Sequence, residues 1–125
     1  MFRIAVRRDF VAHHFLIGGD WGSENKLHSH HYIMELELAG TSLNQHGYLI
    51  DIVDIEDHLD NQINRYREQT LNELDEFSGL NPSLEQFCRI LCNRLSDNIH
   101  AQEVRKITLR LWEDKVNWAS YEMER

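Results

Sequence analysis

A chain of 125 residues fits one domain, 1–125, with little room for a second, and its 42% hydrophobic and 27% charged residues are ordinary for a globular protein. A net charge of −8 argues against binding a phosphate backbone or an anionic membrane surface, both of which call for basic patches. No apolar run reaches the roughly 20 residues that span a bilayer, and Met1-Phe2-Arg3-Ile4-Ala5-Val6-Arg7-Arg8 lacks a signal peptide's apolar core. The expectation is a cytoplasmic protein with no nucleic-acid or membrane partner.

From Phe2 to about His14 the sequence alternates, with Phe2, Ile4, Val6, Phe10, Ala12 and His14 in one phase, as in a half-buried strand. A glycine-rich polar loop, Ile17 to Lys26, follows. Leu27 to Gly40 alternates again, with His28, His30, Tyr32, Met34, Leu36 and Leu38 on one face. Thr41 to Gly47 reads as a turn, and Tyr48 to Ile52 as a short strand closing a hairpin. A helix is expected from about Asp54, a candidate cap, to Tyr66, with Ile55, Leu59, Ile63 and Tyr66 as its apolar stripe. After a polar connection to Leu80, Asn81-Pro82 reads as cap and first position of a second helix, which buries Leu84, Phe87, Cys88, Leu91 and Leu95. Val104 to about Glu113 is a further strand, with a short one near Trp118 to Tyr121. Helices set between hairpins indicate an α+β fold with an antiparallel sheet. Cys88 and Cys92, four apart on one helix, read as buried free thiols, since no further cysteine completes a four-ligand zinc set.

Strand phase sorts the eight histidines. His28 and His30 are two apart, so both leave the apolar face of their strand, and His14 is in phase with Phe10 and Ile4. His13 and His31 fall on the opposite, polar faces. Imidazoles directed into a dry interior need partners, because an unsatisfied buried polar group is costly. A shared metal satisfies His14, His28 and His30 together and leaves a fourth position open; neutral nitrogen ligands favour Zn2+. His46, His58 and His100 read as a turn position, a helix position and a helix end. Glu113 follows Ile107, Leu109 and Leu111 in phase at the end of an apolar face. It is either already wet there or grips a planar pair of N–H donors.

Phe10-Val11-Ala12-His13-His14 and Leu27-His28-Ser29-His30-His31-Tyr32 resemble the metal motifs of the 6-pyruvoyl-tetrahydropterin synthase family. That family includes the 6-carboxytetrahydropterin synthases of queuosine biosynthesis. The resemblance continues through Gly47-Tyr48-Leu49-Ile50-Asp51, Leu71-Asn72, Asn81-Pro82-Ser83-Leu84-Glu85 and Trp112-Glu113. It implies a tunnelling fold: a four-stranded antiparallel sheet with two helices on one face, the sheets of several subunits joining into a barrel. It also implies a homohexamer with active sites at subunit interfaces, zinc on His14, His28 and His30, and a small-molecule pterin substrate anchored by Glu113.

Four positions depart from the family's pattern. Its cysteine, four residues before the first histidine of His-x-His, is Glu24 here, as in a branch that resembles enzymes cleaving dihydroneopterin to 6-hydroxymethyl-dihydropterin. Its middle glycine is Ser29, and its Asp-His pair falls on Arg67 and Glu68. The resemblance therefore implies a zinc-dependent lyase acting on a reduced pterin such as dihydroneopterin or its triphosphate, in folate or queuosine biosynthesis, by retro-aldol cleavage of the side chain. Glu24 would be the catalytic proton carrier and Glu68 its partner, two nearby carboxylates pushing one pKa upward. The alternative is a non-catalytic zinc-containing pterin-binding homologue that has lost the cysteine and the Asp-His pair. An unrelated zinc hydrolase is a third reading.

Overall fold

The computed structural model describes all 125 residues, Met1–Arg125. Alternation in the sequence becomes four strands, β1 (Phe2–His14), β2 (His28–Gly40), β3 (Lys106–Trp112) and β4 (Trp118–Glu124). They form one antiparallel sheet in chain order. Between β2 and β3 the chain makes two helices, α1 (Ile52–Tyr66) and α2 (Leu84–Ser96). Both pack on one face of the sheet. There Phe10, Met34, Leu36, Leu38, Ile107, Leu109 and Leu111 meet Ile55, Leu59, Ile63 and Tyr66 of α1 and Phe87, Leu91 and Leu95 of α2. The fold is α+β, with a four-stranded antiparallel sheet and two helices.

The opposite face is polar, as the second phase of each strand requires. Ion pairs cross it: Arg7 to Glu35 at 2.9 Å, Arg110 to Glu35 at 2.5 Å and Lys106 to Glu122 at 3.0 Å. The Arg7 guanidinium stacks 4.8 Å from the centre of the Trp112 ring, and that of Arg110 lies 5.0 Å from Trp118.

The expected strand at Tyr48 to Ile52 does not form. Both edges of β2 are taken, one by β1 and the other by β3, so this segment cannot close a hairpin with β2. Instead Asn44 Oδ1 accepts from the backbone N–H of His46 and Tyr48, Gly47 turns the chain at φ +81°, and Leu49 drops into the core. Helix α1 starts earlier than expected. Asp51, not Asp54, caps it by accepting from Val53 N–H at 3.0 Å. Helix α2 is capped by Ser83, whose hydroxyl accepts from Gln86 N–H at 3.2 Å. Asn81 and Pro82 lie outside the helix, Asn81 Oδ1 accepting from Ile17 N–H in the β1–β2 loop and Pro82 O from His14 at the end of β1. The strand expected over Val104 to Glu113 is confined to Lys106–Trp112, and the last strand runs on past Tyr121 to Glu124. Cys88 and Cys92 are buried and unpaired, and burial pushes their thiols up to about 12 and about 11.

Candidate metal centre

Register places the three histidines. His14, the last residue of β1, lies directly opposite His28, the first of β2, and His30 pairs with Ala12 one step inward. All three rings therefore leave the helix-covered face at the same end of the sheet. Ring centroids are 4.5 Å apart for His14 and His28, and 4.9 Å for the other two pairs.

Backbone carbonyls fix the rings. His14 Nδ1 donates to Pro82 O at 2.8 Å, and His28 Nδ1 donates to Lys26 O at 2.7 Å. A carbonyl only accepts, so each of these Nδ1 atoms carries its proton and, in a neutral ring, each Nε2 presents a lone pair to the cluster. His14 is 2% exposed, and its Nε2 is the one buried side-chain nitrogen or oxygen without a hydrogen-bond partner. Burial pulls its pKa down to about 4; the Pro82 contact opposes this, and the neighbouring His28 and His30 add to it. The ring is neutral at pH 7, as a metal ligand must be.

His28 Nε2 and His30 Nε2 are 3.2 Å apart. Two nitrogens each about 2.0–2.1 Å from a tetrahedral ion stand about 3.3–3.4 Å apart, so the pair is spaced as zinc ligands are. The carbonyl-anchored rings supply the orienting partners that metal-binding histidines use. The orphaned buried Nε2, the spacing and the donor chemistry all fit a zinc-type ion on His14, His28 and His30.

Glu24 comes to the same place from a short 3-10 turn, Gly22–Asn25. Its Oε2 is 3.2 Å from His28 Nε2, and the ligand atoms of His14, Glu24, His28 and His30 all lie within 4.8 Å of one another. The loop that carries Glu24 is tied down by three asparagines. Asn25 Nδ2 donates to Leu16 O and Gly19 O, Asn72 brackets the backbone of Phe15, and Asn81 Oδ1 accepts from Ile17 N–H. The backbone bond from Leu16 N–H to Glu24 O, 2.9 Å, fixes Glu24 against the end of β1. Asn25, between Glu24 and Lys26, carries no periodic or motif signal in the sequence. Asn72 stood within a matched motif with no assigned task, and Asn81, expected to cap the second helix, serves this loop instead.

Glu113, one residue beyond β3, puts Oε2 4.0 Å from His30 Nε2. Burial raises its pKa, and of its neighbours His30 opposes the shift while Glu24 adds to it. It lies on the rim of the histidine cluster, neither sealed in the core nor freely solvated. Glu68 does not join the cluster. Its carboxylate lies 3.2 Å from His13 Nε2. His31 pairs with Asp9, on the same polar face as His13. A cavity of about 530 Å3 lies at the opposite end of the sheet, lined by residues that include Asn44, Asp51, His58 and His100.

Fold and site together define an α+β protein whose sheet ends in a nitrogen-rich cluster of metal-ligand type. The family model for 6-pyruvoyl tetrahydropterin synthase matches residues 3–124, nearly the whole chain, and the protein belongs to that family. Among solved structures, the chain is similar to 6-pyruvoyltetrahydropterin synthase of Plasmodium vivax (TM-score 0.83, 15% identity, 99% of this chain and 98% of that one). The Plasmodium falciparum synthase gives the same values. That of Caenorhabditis elegans gives a TM-score of 0.81 at 18% identity over the same shares. At these identities the likeness speaks for the fold. Two solved forms of the Plasmodium vivax protein replace a glutamate described as its catalytic residue, one by cysteine and one by alanine. No curated protein matches the chain. No helix is long and apolar enough to cross a membrane.

Proposed function

We propose that this protein is a zinc-dependent lyase that cleaves the side chain of a reduced pterin, dihydroneopterin or its triphosphate. The observation that carries the reading is Glu24: a carboxylate 3.2 Å from His28 Nε2, beside an uncompensated His14 Nε2, in a chain of the pterin synthase family. The glutamate named as catalytic in the Plasmodium vivax relative supports giving Glu24 that role.

Bound zinc would supply Lewis acidity to the side-chain oxygens. His14, His28 and His30 would hold it. Glu113 would fix the ring through two N–H donors, so that the side chain points at the cluster. Glu24 would accept the proton of the side-chain hydroxyl. The carbon–carbon bond then breaks, its electron pair passes into the unsaturated pterin ring, an aldehyde leaves, and the proton returns to the carbon left on the ring. The product is a hydroxymethyl-dihydropterin. Glu68 would act with Glu24 only if brought from another subunit, since within one chain it engages His13. Two outward edges, on β1 and β4, and a site open at the end of the sheet support a homohexamer with active sites at subunit interfaces.

The engagement of Glu68 by His13 favours a second reading, a pterin-binding homologue without turnover. Incubating zinc-loaded protein with dihydroneopterin and its triphosphate, with mass-spectrometric identification of products, separates the two. The lyase releases an aldehyde and a hydroxymethyl-dihydropterin, and Glu24→Ala abolishes this. Binding without consumption supports the second reading.

A further inference from the structure

Groups with lone pairs converge at the end of the sheet, where the ligand atoms of His14, Glu24, His28 and His30 all lie within 4.8 Å of one another. His14 and His28 have committed their Nδ1 protons to Pro82 O and Lys26 O, which leaves each Nε2 bare when the rings are neutral. Glu24 Oε2 then faces His28 Nε2 at 3.2 Å, a spacing that acceptor pairs keep only around a shared cation or proton. The carboxylate has not strayed there on a free loop, because its backbone is bonded to Leu16 and its neighbour Asn25 to Leu16 and Gly19.

The geometry points to Glu24 as the fourth ligand of the resting metal centre, displaced by substrate and thereby released as a base. Three neutral histidines and one carboxylate make a closed four-ligand set. The expected fourth position is then filled by protein until a diol-bearing side chain takes it. Glu24 is about half exposed, so it can swing outward without moving the core. Such an arrangement keeps the proton acceptor masked in the empty enzyme and makes it available only beside bound substrate. This inference rests on the zinc reading of the centre.

The experiment is competitive zinc titration against a chromophoric chelator, on wild type, Glu24→Gln and His30→Ala, with a crystal structure of the zinc-loaded wild type. Glu24→Gln is expected to weaken zinc binding about 10- to 100-fold, at least the scale on which orienting partners act. In the loaded crystal a Glu24 carboxylate oxygen is expected about 2.0–2.2 Å from zinc. A mere ion pair between Glu24 and a protonated His28 competes with zinc. It gives unchanged or tighter binding in Glu24→Gln and a water in the fourth position, and either result overturns the inference while leaving the three-histidine centre standing. If wild type binds no more tightly than His30→Ala, the inference and the zinc-dependent function fall together.

Discussion

His14 hangs between two masters: its Nδ1 donates to the carbonyl of Pro82 at 2.8 Å, and its Nε2 meets no protein partner at all. The contact spans the chain from the end of β1 to the residue before the Ser83 cap of α2. It ties the start of the second helix to the orientation of a ring in the histidine cluster.

Replacing His14 by alanine is therefore expected to do more than remove a ligand. Zinc affinity should fall by more than the roughly 10- to 100-fold that losing an orienting partner costs. The metal-free protein should also lose about 1–3 kcal/mol, because Pro82 O is left buried without a donor. His13→Ala, one residue away on the other face, should leave zinc affinity unchanged. Chelator competition and urea denaturation read both effects.

Glu113→Gln keeps the shape of the side chain but removes the charge that would grip two N–H donors. A charge-assisted pair of this kind contributes about 1.5–3 kcal/mol, so pterin binding should weaken by about 10- to 150-fold. Zinc content, read by metal analysis, should not change.

Glu76 is a stability group remote from the site. Arg65 donates to it at 2.7 and 2.6 Å and the Tyr66 hydroxyl at 2.6 Å, and the Arg65 contact is the main reason its pKa falls to about 2. A carboxylate depressed in the folded state contributes stability above its unfolded value, near 4.5, and loses it as pH falls toward 2. Its side chain is 15% exposed, so the contribution is on the order of 3 kcal/mol. Glu76→Gln should lower stability at pH 7 by an amount of that order and flatten the acid limb between pH 4.5 and 2 in urea titrations.

Glu68 holds φ +60° at the third position of a turn closed by Gln69 N–H to Tyr66 O, where glycine is the unstrained choice. Glu68→Gly should raise stability by about 0.5–1 kcal/mol, the relief of left-handed strain exceeding the entropy cost of glycine. Glu68→Val should lower it. Thermal unfolding ranks the three proteins, and an order with glycine lowest would show that the exposed pair with His13 outweighs the strain.

Much of this arrangement was legible because burial writes a period-2 signal into strands. The phase of Phe10, Ala12 and His14 and of His28, His30 and Tyr32 separated the clustered histidines from His13 and His31, and register then brought the right three together. The stripe of α1 was read from the same physics. The segment Tyr48 to Ile52 was misread because its short apolar pattern says nothing about whether a neighbouring strand edge is free. Asn81-Pro82 was misplaced because its cap-like chemistry serves the β1–β2 loop and His14, 68 residues back along the chain. Nothing local in Glu68 announces that it faces His13. Long-range partners of loop residues leave no periodic trace.

The adjacency of His13 and His14 gives β1 the property of a reading frame. One inserted residue between Phe10 and His13 would leave every histidine in the chain, yet the frame shift would turn His14 outward and deliver His13 to the cluster. His13 would arrive at the position that now bonds Pro82 O, while its pairing with Glu68 would be lost. Point substitution can tune this centre, but a single insertion rewrites which histidine β1 contributes to it.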